Sequence, residues 1–152
     1  MKSHEGFTLL EVLLAAVILG FGLAGITTAM SQNRKMMLAS TELQTAQEVM
    51  DLGDMAYPLA DVTDPDKDLD VSETKAEELW EMISDERLSS AQQAKYKGYT
   101  WEREALNRKA DDDELKRIGY LYTVRITVKW DDDRRGNHKE ESYVTFWRKP
   151  QE

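Results

Sequence analysis

Apolar residues are distributed along this chain in three regimes. From Phe7 to Met30 they are almost continuous, 24 residues in which Glu11 is the only charge. From residue 31 to 55 they thin to a stripe of Met36, Ala39, Leu43, Ala46, Met50 and Gly53. That 3–4 spacing marks one face of a helix. Gln32, Lys35, Glu42, Gln44 and Glu48 fall mostly off the stripe. No proline interrupts before Pro58, whose ring is incompatible with a continuing helix. The pattern predicts a single helix of ~50 residues. At about 1.5 Å per residue its apolar half spans ~36 Å, enough to cross a ~30 Å hydrocarbon layer.

Beyond residue 57 the pattern changes twice. ADVTDPDKDLDV reads as an acidic loop. Residues 72–88 then read as a second helix, with Ser72 as N-cap, Glu73, Glu77 and Glu78 near its positive start, and Ala76, Leu79, Trp80 and Ile83 as its apolar face. Trp80 is expected in the core. The last third alternates with period two. Residues 99–104 form one candidate strand. Residues 120–130, YLYTVRITVKW, set Tyr122, Val124, Ile126, Val128 and Trp130 on a buried face and Thr123, Arg125, Thr127 and Lys129 on a wet one. Residues 142–148, SYVTFWR, form the third, after a polar connection with the turn signal Arg135-Gly136-Asn137. The expected class is α+β: a long N-terminal helix packed on a small antiparallel sheet, with one extra short helix.

Composition narrows the chemistry. Twenty Lys and Arg stand against 29 Asp and Glu, a formal net charge of −9. Such a chain is a poor ligand for phosphate backbones, which demand positive charge. No cysteine is present, so disulfides, thiolate metal sites and cysteine nucleophiles are excluded. Any imidazole chemistry would rest on His4 or His138 alone. Glu102 and Glu104 share one face of a strand and read as solvated charges. The triplets Asp111-Asp112-Asp113 and Asp131-Asp132-Asp133 read as loops. Asp64, Asp66, Asp68 and Asp70 alternate as calcium ligands do, with Glu77 twelfth from Asp66, but the sixth position is Val71 where a sharp calcium turn needs glycine. No nucleotide loop or catalytic motif is found, and no cofactor is expected.

Glu11 is the feature to explain. A carboxylate in mid-membrane costs roughly 2.5 kcal/mol or more. A cleaved secretory signal fits poorly, because the apolar run is long and no small-x-small site closes it before Arg34-Lys35. A plain anchor accounts for the length and leaves the acid unexplained, unless it sits at the interface. A packed helical assembly gives it a positive partner. Lys2 and His4 on one flank and Arg34 and Lys35 on the other leave orientation ambiguous by charge. Gly20, Gly22 and Gly25 soften the span without forming GxxxG.

The opening residues resemble a known signal. A short polar leader with Lys2, then Gly6-Phe7-Thr8-Leu9-Leu10-Glu11 and an apolar run, is similar to the class III signal of type IV pilins and type II secretion pseudopilins. The resemblance implies cleavage by a prepilin peptidase between Gly6 and Phe7, methylation of the new N-terminus at Phe7, and Glu11 as fifth residue of the mature chain. It further implies residues 1–6 as leader, 7–30 as transmembrane and filament-core helix, 31–56 as its amphipathic half and 57–152 as an α+β head. Glu11 would then dock on the N-terminal amine of a neighbour. Major subunits of the family often carry a proline where this chain has Thr28, so the absence of proline before Pro58 implies a minor component, and the strand–charged-loop–strand ending resembles PilV-like minor pilins and I-type minor pseudopilins. Implied partners are other minor subunits and the major subunit, the prepilin peptidase, the inner-membrane assembly platform and membrane lipid, with the head in the periplasm. A different class, an adhesin or DNA-uptake module displayed on such a filament, stands as the alternative.

Overall fold

The computed structural model describes residues 8–107, 112–132 and 137–148. Its elements run α1 (Leu9–Ala56), a short 3-10 turn (Leu59–Asp61), α2 (Pro65–Asp68), β1 (Val71–Lys75), α3 (Ala76–Ile83), α4 (Ser90–Tyr96), β2 (Thr100–Ala105), α5 (Asp112–Arg117), β3 (Leu121–Asp132) and β4 (Asn137–Arg148). The α+β class with a long helix and a small antiparallel sheet is as expected. The chain divides into two compact units, residues 1–41 and 42–152.

Among its described residues the first unit is helix from Leu9 to Thr41, with its apolar side chains exposed apart from half-buried Leu38. The second unit holds the core. Its sheet is a simple antiparallel meander in the order β1-β2-β3-β4. Tyr122, Val124, Ile126, Val128 and Trp130 of β3 are all buried, as their alternation predicts. Residues 42–56 of α1 lie against the same face. Here Thr45, Ala46, Val49, Met50, Leu52 and Gly53 are buried. This shifts and shortens the stripe expected from the sequence. Ala46, Met50 and Gly53 belong to it, while Met36, Ala39 and Leu43 are exposed. Burial begins at Thr45, although the sheet already touches α1 at Glu42, through its 2.6 Å ion pair with Lys139.

Gly53 marks the closest approach. A Cβ built on it would stand 2.2 Å from Cε2 of Trp101, which is fully buried and stacked on Tyr57 with ring centroids 5.7 Å apart. Glycine is the residue that lets an indole lie flat on helix backbone. The helix then stops. Tyr57 N–H donates to the Gly53 carbonyl at 2.9 Å, and Pro58 follows.

The single helix expected over residues 72–88 is not found. Residues 71–75 are β1, paired through Val71↔Arg103, Thr74↔Trp101 and Lys75↔Thr100 with a register shift between Val71 and Thr74. Ala76 N–H donates to the Tyr99 carbonyl, and the chain turns into α3 there, with Lys75 at the N-cap rather than Ser72. Pairing with β2 outweighs the weak helical preference of this charged stretch. Trp80 packs at the rim of the core, half-buried, and its indole N–H donates to the Glu86 carbonyl at 2.9 Å. The acidic loop holds the 3-10 turn and α2, capped by Asp64 onto Asp66 N–H at 3.0 Å. Helix α4 starts on a capping box between Ser89 and Gln92. The hairpin tip Arg135-Gly136 and the residues Asp111 and Asp133 lie outside the described residues.

One buried charge ties the second unit together. Arg103 points from β2 into the core face and is 3% exposed. Its guanidinium donates to the carbonyls of Leu69 (2.9 Å), Tyr57 (2.5 Å) and Asp68 (2.9 Å). It thereby satisfies three acceptors of the α1–β1 connection that no strand or helix reaches. Desolvation by burial lowers its pKa, opposed by Asp54 and Asp70 nearby.

Candidate functional site: the N-terminal segment

Gly6 and Phe7, the expected processing residues, lie outside the described residues; the site is built from Thr8 onward. The structure gives Glu11 a local role besides the expected docking one. Thr8 N–H donates to Glu11 Oε2 at 2.9 Å and Thr8 Oγ1 donates to the same oxygen at 3.2 Å. In return Glu11 N–H donates to Thr8 Oγ1 at 3.3 Å. The Thr8 carbonyl accepts from the amides of Glu11 (3.0 Å) and Val12 (3.3 Å). This is a capping box: two donors of the kind that a helix start leaves orphaned are satisfied reciprocally, and a carboxylate sits at the positive end of the macrodipole. The signal is present in the sequence, since Thr8-Leu9-Leu10-Glu11 is the T-x-x-E pattern before an apolar run.

Further along, polar groups are consumed inside the helix. Thr27 Oγ1 donates to the Leu23 and Ala24 carbonyls at 3.1 and 2.9 Å, and Thr28 Oγ1 to Ala24 at 2.9 Å. Hydroxyls folded back this way cost little in hydrocarbon. What remains outward is apolar. Leu9, Leu10, Val12, Leu13, Leu14, Val17, Ile18, Leu19, Phe21, Leu23, Ile26 and Met30 are all exposed. α1 is long and apolar enough to cross a membrane, with an 18-residue window of mean hydropathy 2.4 and none of it buried. A surface so continuous is not a water-facing one. It needs lipid, or other helices, around it. Among the described residues, nothing beyond the helix's own backbone lies within 4 Å of a Cβ position at Gly20, Gly22 or Gly25, so these glycines offer flat backbone to such a neighbour.

The other candidates from sequence are dispersed. The carboxylates of Asp64, Asp68 and Asp70 turn to different donors: Asp64 to Asp66 N–H and Lys67 (3.0 Å), Asp68 to Asp64 N–H (3.2 Å), Asp70 to Ala105 N–H (2.7 Å). Glu102 pairs with Lys129 at 2.8 Å on the outer face of the sheet, and Glu104 is exposed there. His138 stands at the exposed start of β4, 2.6 Å from Asp131.

Comparison with known proteins agrees with the geometry. Residues 1–27 match the family described as the prokaryotic N-terminal methylation motif. No curated protein and no solved structure matches the chain. The matched residues hold the whole capping box and every exposed large apolar side chain of the span from Leu9 to Ile26. This segment, and the long helix and antiparallel sheet that follow it, support kinship with the type IV pilin and pseudopilin family.

Proposed function

We propose that this chain is a minor pilin or minor pseudopilin. It is a structural subunit held in the bacterial inner membrane with its head in the periplasm, then built into a type IV pilus or type II secretion pseudopilus as part of a priming complex at the tip. The observation that carries the reading is the methylation motif at residues 1–27 on a helix whose most apolar 18-residue stretch is wholly uncovered. Its chemistry is that of a substrate: the prepilin peptidase cuts between Gly6 and Phe7 and methylates the Phe7 amine.

Glu11 then works in two states. In the single chain its carboxylate is held by Thr8. In a bundle of helices without water, a neighbour's N-terminal ammonium offers a full charge, whose attraction grows as the dielectric falls. A subunit offering no such cation leaves a buried acid uncompensated, which is strongly penalised. The exchange makes Glu11 a register element as well as a cap. Other minor subunits, the major subunit and the assembly platform are the partners this mechanism requires.

Mass spectrometry of the N-terminus, from cells with and without the peptidase, tests the reading. The expected mature chain begins at a methylated Phe7 only where the peptidase is present. An intact Met1 in wild-type cells would overturn it.

A further inference from the structure

β4 is the outermost strand of the sheet, and among the described residues no strand pairs with its far side. Natural edge strands are guarded by charge, proline, bulges or shortness. β4 is guarded along half its length. His138, Lys139, Glu140 and Glu141 fill its first part. Residues 142–147, Ser-Tyr-Val-Thr-Phe-Trp, carry no charge, and Arg148 follows. Its pairing with β3 runs in unbroken register from Asp132↔Asn137 to Leu121↔Arg148. On the face away from α1, Val144 is 51% and Phe146 64% exposed. Leu106, whose amide donates to the Thr123 carbonyl opposite Phe146, extends the apolar row across the sheet. The opposite edge differs: β1 has five residues and an irregular register.

Direction decides what can fill the open edge. Lys139 pairs with Glu42 at 2.6 Å, the Tyr143 hydroxyl donates to Asp54, and the Trp147 indole N–H donates to the Leu59 carbonyl at 3.0 Å. Residue numbers climb together, so β4 runs in the same direction as residues 42–56 of α1. A second β4 laid antiparallel about Val144 would match Arg148 with Glu140 at both ends, but would set the two α1 segments head to tail. Chains anchored by N-terminal helices in one membrane do not meet that way. A second β4 laid parallel in register would put Glu140 and Glu141 beside their own copies, which is repulsive. The strand that fits is one running against its own chain's long helix. β1 has that sense in this fold, since three antiparallel steps separate it from β4, but its irregular edge disqualifies a second copy of this chain.

We propose that residues 142–147 are a strand-addition site for the sheet edge of a different pilin-type subunit. The incoming strand pairs antiparallel to β4, with a lysine or arginine facing Glu140, an acid facing Arg148, and β-branched or small residues facing Val144 and Phe146. Main-chain hydrogen bonds supply affinity and alternate side chains the choice of partner. The contact is heterologous, so long helices stay parallel across it. The proposal rests on the filament-subunit reading above.

The test uses the full chain in its own cells, with photoreactive benzoylphenylalanine in place of Val144, and identifies crosslinked peptides by mass spectrometry. The expected product joins residue 144 to a sheet-edge strand of a different subunit that itself carries an N-terminal methylation motif. Adding Phe146→Lys should lower its yield about tenfold, which corresponds to a binding free energy weakened by ~1.4 kcal/mol. Both side chains are exposed, and an unchanged melting temperature checks that the variants fold. Crosslinks to a second copy of this chain or to lipid would overturn the proposal. So would the absence of crosslinks while the chain is cut at Phe7 and recovered in filaments. An intact Met1 would instead bring down the filament reading itself, and this inference with it.

Discussion

Gly53→Ala separates two physical effects of opposite sign. Helix propensity alone predicts stabilisation, since alanine is favoured over glycine by about 1 kcal/mol in a helix interior. Packing predicts the reverse. The new methyl would sit 2.2 Å from the Trp101 ring, whereas ordinary contact begins at 3.4 Å, so ring or helix must give by about 1.2 Å. Neither has room. Trp101 is fully buried, stacked on Tyr57 at one side with the Arg103 guanidinium 5.9 Å from its ring. Overpacking a filled core costs about 1–3 kcal/mol, and a clash between ring and backbone belongs at the upper end. The expected net loss is about 2 kcal/mol, or a fall of about 10 °C in Tm for a head of this size. Thermal unfolding of the full chain in detergent, followed by near-UV tryptophan dichroism, measures it. Gly25→Ala, with open space around its Cβ, should leave the head's transition unchanged. Trp101→Leu should recover part of the Gly53→Ala loss, giving a coupling energy in a double-mutant cycle. A neutral or stabilising Gly53→Ala would refute the close approach.

Three further outcomes follow from the same structure. Arg103→Met leaves the carbonyls of Tyr57, Asp68 and Leu69 without their donor. At about 1–3 kcal/mol for a stranded buried acceptor, and with losses less than additive, a drop of about 3–5 kcal/mol is expected in urea unfolding; a loss under ~1 kcal/mol would mean the clamp is idle. Tyr96, Tyr99 and Tyr143 all have raised pKa values, chiefly from burial, with Glu48, Glu42 and Asp54 respectively adding to the shift. The folded chain therefore holds these phenolic protons when the unfolded chain has released them. Their contribution is whole below about pH 10 and is lost as pH rises through the folded values. Tyr143→Phe should flatten that alkaline loss, and an unchanged slope in a pH series of urea midpoints would count against the Tyr143–Asp54 contact. Glu11→Ala should abolish incorporation into filaments while membrane insertion persists, read by fractionation and filament shearing; normal incorporation would refute the docking role.

Much of the fold is legible in the sequence because its signals are local. The alternation from Tyr122 to Trp130 states both the strand and its buried face. The apolar run and Pro58 bracket the long helix. What escapes depends on partners distant in sequence. Nothing in Val-Ser-Glu-Thr-Lys announces β1; β2, which begins at Thr100, recruits it. Alternation with Glu102 and Glu104 puts Arg103 on the opposite, core-side face, where nothing local says what would pair with a charge. Only the three stranded carbonyls of residues 57, 68 and 69 explain why it turns inward. Met36 and Leu43 fit the helical stripe as well as Met50 does, but periodicity does not say where the sheet ends. At the N-terminus the reverse holds. The Thr8–Glu11 box is written plainly in four residues, yet an acid beside an apolar run draws the eye to a distant cation before its neighbour three residues back.

The position of that box has a consequence for maturation. Helix α1 takes its first hydrogen bonds from Thr8, one residue past Phe7. The proposed cut before Phe7 would leave this cap whole. On the proposed reading, the peptidase would act on a helix that is already capped, and the released subunit would have no helix start to refold before it met a neighbour.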